Sequence, residues 1–136
     1  MHLITDKLLV GNINDAREPP ATVGTLLLVA EEFSVDPPKW VEYHRIPMKE
    51  FSEANPATLL QSVKWLETRV PEGHTLVCCR AGMGRSVSVV MAYLCCVEGM
   101  MYDDVLKLIM VRRPGAMPLS NLQAAIEQVR LLRQAA

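Results

Sequence analysis

Residues 75–94, TLVCCRAGMGRSVSVVMAYL, set two adjacent cysteines between an apolar run and a turn punctuated by glycine, with Arg85 six positions after Cys79 and Ser86 beside it. A thiol, a guanidinium and a hydroxyl at this spacing do chemistry together if the backbone between them can cradle an anion. The N–H groups that enter a helix have no partner within it, and the helix dipole adds positive potential there. Gly82 and Gly84 permit backbone angles that turn successive N–H groups toward one anion, which makes Arg80, Ala81, Gly82, Met83 and Gly84 candidates for binding it. Arg85 adds a planar fork able to hold two phosphoryl oxygens at once. That field favours the thiolate of Cys79, and Ser86 can donate a hydrogen bond to it and ease its departure. A soft nucleophile beneath a tetrahedral anion implies phosphoryl transfer to sulfur, then hydrolysis of a cysteinyl phosphate. The bare cysteine–arginine spacing is common by chance. The strand before it, the two glycines, the hydroxyl and the helix after it make it specific.

These groups need a strand end and a helix start to hold them. TLVCC (75–79) is apolar and of strand length, and SVSVVMAYLCCVEG, from Ser86 to Gly99, has the character of a buried helix. Upstream, LIT and KLLVGN suggest a short hairpin, and Asn14 or Asp15 suits the cap of a brief helix reaching Pro19. TLLLVA (25–30) is a second continuous apolar run, as for a strand covered on both faces, and VEYHRIPM (41–48) alternates before meeting Pro47. Asn55 and Pro56 read as N-cap and first helical position of a helix carrying Leu59, Leu60, Val63, Leu66 and Val70, stopped by PEGH (71–74). Asp103 suits the cap of a helix through Arg112, closed by Pro114 and Gly115. Ser120 suits the start of a last amphipathic helix with Leu122, Ile126, Val129 and Leu132. Strands alternating with helices imply an α/β chain with a largely parallel central sheet flanked by helices on both faces. Its ligand belongs where strand carboxyl ends meet helix starts.

VCCRAGMGRS resembles the signature loop of the cysteine-dependent protein tyrosine phosphatases: a cysteine, five residues, an arginine, then serine or threonine. LLVGNINDA is similar to the N-terminal strand and helix of the small, atypical dual-specificity branch, and HRIPMKEF to its strand before the acid loop. SVVMAYL resembles the helix after the signature, and VLKLIMVRRPGAMP a later helix with its Arg-Pro exit. The likeness covers nearly the whole chain in the same order. It implies a protein tyrosine phosphatase-like fold over residues 1–136 as one catalytic domain. It also implies a metal-independent phosphomonoesterase acting on phosphotyrosine and phosphoserine or phosphothreonine. Cys79 is then the nucleophile, Arg85 the phosphate clamp, Ser86 the hydroxyl that assists the thiolate, and residues 80–84 the supply of amides.

Two positions depart from that pattern. Cys78 stands where the family usually has a histidine, which helps orient the loop and stabilise the thiolate. Glu50 stands where its aspartate general acid is expected, with Glu53 and Asp36 as other candidates; proton transfer by such a group is worth ~10²–10⁴-fold. The departures leave a low-turnover, phosphate-binding pseudophosphatase as an alternative. Arg80, a basic residue directly after the nucleophile, leaves a phosphoinositide or nucleotide-end phosphatase as another. A sulfurtransferase with a cysteine–arginine loop is more remote.

Composition bounds the rest. Half of the 136 residues are apolar, 21% are charged and the formal net charge is −1, which describes a folded chain without a global pull toward nucleic acid or anionic membranes. No apolar run approaches the ~20 residues of a bilayer span, and the first residues show no basic start followed by an apolar stretch, so no signal peptide is expected. The four cysteines form two vicinal pairs, neither a disulfide framework nor a zinc pattern, and a reducing cytoplasm is the expected setting. Cys78, out of phase with Cys79, is expected to be a packed thiol, with capture of an oxidised Cys79 as its other role. Cys95 and Cys96 are expected in packing, Arg112 and Arg113 as a charge pair at a helix C-terminus, and the methionines as core filler apart from Met83. His2, His44 and His74 are isolated, so neither metal nor cofactor is expected. The expected partner is a phosphorylated protein or other phosphomonoester, met at a shallow site by a monomer.

Overall fold

Apolar runs alternating with capped helices build one five-stranded sheet with helices packed on it, in a computed structural model that describes residues 1–135. The strands are β1 (His2–Leu3), β2 (Leu8–Gly11), β3 (Thr25–Leu28), β4 (Glu42–Arg45) and β5 (Thr75–Cys78), in the order β1-β2-β5-β3-β4. β1 and β2 pair antiparallel, as the hairpin expected from LIT and KLLVGN, and the other pairings are parallel. All of β5 and the leucines of β3 are buried, as strands covered on both faces must be. The helices are α1 (Ile13–Arg17), α2 (Pro56–Arg69), α3 (Arg85–Cys96), α4 (Tyr102–Arg112) and α5 (Leu122–Ala135). α1 packs on β2 and β5. The other four form a larger group in which α3 touches α2, α4, α5 and the same two strands.

Register brings four loops together. Gly11, Cys78 and Leu28 stand opposite one another at the carboxyl ends of β2, β5 and β3, and Arg45 ends β4 opposite Leu28. The loops leaving these ends are tied to one another: Val29 N–H donates to Cys78 O at 2.8 Å, Ile46 N–H to Leu28 O at 3.0 Å, and Glu31 N–H to Met48 O at 3.1 Å. The strands are therefore shorter than the apolar runs that announced them. Val29, Ala30, Ile46, Met48 and Cys79 stay buried, but in these loops.

Several helix boundaries differ from the expected ones. Asn12, rather than Asn14 or Asp15, caps α1: its side chain accepts from Asp15 N–H at 3.0 Å while the Asp15 carboxylate accepts from Asn12 N–H at 2.9 Å. This reciprocal capping box satisfies two otherwise unpaired donors, and the helix ends at Arg17. Asn55 and Pro56 begin α2 as the spacing predicts, and a 3₁₀ turn at Val70–Glu72 follows it. α3 begins at Arg85, one residue before Ser86, and ends at Cys96. Met101 is the N-cap of α4; Asp103 sits in the first turn, where its charge suits the dipole without capping. α5 begins at Leu122 rather than Ser120, because Asn121 takes a left-handed φ of 62°. The methionines are not mainly core: Met48 and Met91 are buried, whereas Met1, Met101, Met110 and Met117 are exposed.

Replacing Asn12 by alanine removes half of the capping box beside the loop ends. The expected outcome is a loss of ~1 kcal/mol in unfolding free energy, seen as a lower urea midpoint at unchanged slope. An unchanged midpoint would show that packing alone holds α1.

Candidate active site

Five consecutive peptide carbonyls between β5 and α3 are held from outside. Arg80 O accepts from Ile13 N–H at 3.1 Å, Ala81 O from Arg113 Nη2 at 3.2 Å, and Gly82 O from Arg113 Nε at 3.0 Å. Met83 O accepts from Met117 N–H at 2.7 Å, and Gly84 O from Ser88 N–H at 2.9 Å and Ser88 Oγ at 2.7 Å. In a trans peptide the next N–H points opposite to the carbonyl, so tying these oxygens outward turns the N–H groups of 81–85 to the concave side. Among the described residues, the N–H groups of 81–84 donate to no backbone carbonyl. Gly82 has φ +70°, and a Cβ there would lie 2.5 Å from both Gly11 O and Arg113 Nη2, so only glycine fits. Gly84 has an ordinary negative φ; its Cβ would instead press on Met117 O at 3.3 Å.

The side chains expected to do chemistry converge on that concave side. Cys79 is buried, with Sγ 3.2 Å from Ser86 Oγ. Cys79, Ala81, Met83, Gly84 and Arg85 line a cavity of about 410 Å³, and Glu50 lines it from the loop after β4. Arg80 and Gly82 are not in its wall: Arg80 Nη1 donates to Glu50 Oε2 at 3.0 Å on the rim, and Gly82 lies back against Arg113. Glu53 and Asp36 are exposed and stand outside it. Phe51, next to Glu50, is 94% exposed at a φ of 60°, and Met117, Pro118 and Leu119 close another side.

Two residues whose roles the sequence did not reveal organise the rest. Glu32, in the loop after β3, accepts from Arg85 Nη1 at 2.6 Å and Nη2 at 2.7 Å, and Arg85 Nη1 also donates to Met48 O at 2.9 Å. By the donor inventory of a guanidinium, Nε–H and one Nη2–H of Arg85 remain for an anion. The Arg85 hydrogen bonds lower the Glu32 pKa from 4.5 to about 2, against the opposing effect of burial. Burial works against the Arg85 charge, but the Glu32 bond and the charges of Glu32, Cys79 and Glu50 outweigh it and raise its pKa. Arg113 is the second residue. Arg112 is exposed on the last turn of α4 as expected, but Arg113 is buried and corrects the reading of a charge pair. Besides the two loop carbonyls, it meets His2 Nδ1 at 2.7 Å; desolvation and then the Arg113 charge lower the His2 pKa, which suits a neutral acceptor. Only the topology reveals either residue, because Glu32 and Arg113 lie 53 and 31 residues from their partners in the loop.

Residues 22–130 match the family described as Dual specificity phosphatase, catalytic domain. The chain belongs to that family. It is 38% identical over 60 residues to rat Dual specificity protein phosphatase 15, a match covering 44% of this chain and 25% of that protein. Among solved structures, human DUSP28 superposes with a TM-score of 0.81 at 22% identity, covering 99% of both chains. A mouse putative dual specificity phosphatase complexed with zinc tungstate gives 0.83 at 24% identity over 98% of this chain and 88% of that one. PTPMT1 in complex with PI(5)P gives 0.79 at 21% identity over 99% and 98%. These three share the fold. Burial foremost and then Asp15 push the Cys78 thiol well above its ordinary range, so it is a neutral, packed group behind the loop.

Arg113→Met leaves two loop carbonyls without donors, and a buried polar group so orphaned costs ~1–3 kcal/mol. The expected result is a lower thermal midpoint together with weaker binding of inorganic phosphate by calorimetry; phosphate affinity equal to the wild type would mean the loop holds its own shape. Glu32 contributes stability that is complete above pH 4.5 and is lost as pH falls toward about 2, because its folded pKa is the lower one. Any activity lost between pH 7 and 5 should therefore persist in Glu32→Gln, and its disappearance in that variant would reassign the acid limb to Glu32.

Proposed function

We propose that this chain is a metal-independent protein phosphatase that works through a cysteinyl phosphate. The observation that supports it most is the meeting, in one cavity, of a thiol paired with a hydroxyl, an anchored arginine and a loop with its carbonyls tied outward. A phosphate monoester seats on the N–H groups of 81–85 and on the free Nε–H and Nη2–H of Arg85. Cys79 Sγ attacks phosphorus in line; the S–P bond forms as the P–O bond to the leaving group breaks. The leaving oxygen takes a proton from the Glu50 carboxylic acid. Water then attacks phosphorus while the Glu50 carboxylate takes its proton. The S–P bond breaks, the thiolate departs with a hydrogen bond from Ser86, and inorganic phosphate is released. Donors fixed before the reaction stabilise the equatorial oxygens without reorganising, which is usually the largest single contribution to such catalysis.

For this, Glu50 exchanges Arg80 for the leaving oxygen. The pair is exposed on the rim, and ion pairs of that kind are weak. A phosphoinositide phosphatase is the second reading, since PTPMT1 in complex with PI(5)P shares this fold. The rim favours the phosphoprotein: it is walled chiefly by Phe51, Met83, Met117, Pro118 and Leu119, and Arg80 is engaged by Glu50.

The test is hydrolysis of an aryl phosphate with a chelator present. Cys79→Ser is expected to abolish it, and turnover that survives the substitution would sink the mechanism. On a substrate with a poor leaving group, Glu50→Gln should lower kcat by ~10²–10⁴-fold while Glu53→Gln stays near wild type. Phosphoinositides turned over much faster than phosphopeptides would favour the second reading. Tight phosphate binding with no turnover of any ester would leave a pseudophosphatase.

A further inference from the structure

The cavity above Cys79 does not end at its rim. Pro118 and Leu119 wall it on one side and also wall a wider groove of about 840 Å³ between α4 and α5. Leu106 and Met110 of α4 and Leu122 of α5 give the groove its apolar surface, and Asn121 and Gln123 bring side-chain amides to it. Ser120 lines the cavity and Asn121 the groove, so the chain passes from one to the other in adjacent residues. Met117 and Met110, one beside each opening, are 75% and 43% exposed. Methionine surfaces adapt to apolar side chains of varied shape.

We propose that this groove docks the polypeptide on one side of the phosphorylated residue and seats an apolar side chain of that segment. Continuity with the phosphate cavity argues for the substrate itself as occupant, since a chain leaving the phosphorylated residue over Pro118 enters the groove. The Asn121 and Gln123 amides each offer a donor and an acceptor, which an extended peptide backbone can use. On this proposal a small aryl phosphate engages the cavity without the groove.

The proposal rests on the phosphatase reading, and the experiment separates the two. Hydrolysis of 4-nitrophenyl phosphate is compared with that of phosphopeptides in which one leucine is walked through each flanking position of an alanine background. In one register the leucine is expected to lower KM by ~10-fold or more, the scale of one apolar side chain in a pocket. Met110→Glu and Ala124→Arg, both at exposed helical positions lining the groove, should erase that gain and leave kcat/KM for 4-nitrophenyl phosphate unchanged. No favoured register, or a gain that survives both variants, overturns docking while the phosphatase reading stands. So does equal loss on 4-nitrophenyl phosphate and peptide, which would mean the groove supports the cavity rather than the substrate. Variants that spare peptides but slow hydrolysis of a phosphoinositide in phosphatidylcholine vesicles would assign the groove to lipid and overturn it too. A wild type inert toward every ester takes down both readings.

Discussion

The outward anchoring of five successive carbonyls, Arg80 to Gly84, is the constraint on which the rest depends. A run of amides all facing one point is a costly conformation for a free chain, because their dipoles repel and their hydrogens go unpaired. It persists here because the five oxygens are bonded from four quarters: Ile13 at the start of α1, Arg113 at the end of α4 to two of them, Met117 beyond it, and Ser88 within α3. The fold therefore meets the cost of the cradle in advance, so that for the proposed phosphate the donors are already aimed. Gly82 marks how tightly this is closed, since no Cβ fits between Gly11 O and the Arg113 guanidinium.

The same logic governs the arginine. Arg85 sits on the first turn of a helix whose neighbours are apolar, and a buried guanidinium is stable only when paired. Glu32 supplies the pair, and it can do so because β3 lies beside β5 with their ends in register. A bidentate partner fixes the plane of the fork as well as its charge, so the two remaining N–H groups point in one direction. Glu50 is held differently. Its partner Arg80 is largely exposed, and the bond is one that water and substrate can replace. The Arg85 guanidinium, itself buried, is fixed by two bonds to Glu32 and one to Met48 O, whereas Glu50 is held by a single bond from an exposed arginine.

How much of this the sequence disclosed follows from how far each interaction reaches along the chain. Cys79, Arg85, Ser86 and Gly84 are a local constellation at one strand end and helix start, and the structure brings them together, while Gly82 turns the loop from behind. The parallel sheet was legible for the same reason, from apolar runs between capped helices. Boundaries were less so: Val29, Ala30 and Cys79 are apolar because they are buried, and burial does not distinguish the last strand residue from the first loop residue. Glu32 and Arg113 were not legible at all. Nothing near Glu32 marks it as a clamp, and Arg113 reads like its exposed neighbour Arg112 until α4 is laid against the loop. The exposed methionines misled because hydropathy reports what a residue prefers rather than where a helix face is left open.

Cys78 shows how the departures from the family pattern are absorbed. The histidine usual at that position orients the loop and stabilises the thiolate, and a buried neutral thiol does neither through charge. Orientation is carried instead by backbone bonds on both sides of it. Val29 N–H holds Cys78 O, Cys79 N–H reaches Gly11 O, and Ile13 N–H holds Arg80 O, so the peptides around Cys79 are pinned to the loop after β3, to β2 and to α1. What remains for the thiolate is the Ser86 hydroxyl, the inward amides and the Arg85 charge. Of these, the amides and the Arg85 charge are also the groups proposed above to bind the phosphate. On that proposal an anion in the cradle draws on those donors, and the Ser86 hydroxyl, 3.2 Å from Cys79 Sγ, is the partner the sulfur does not share with it.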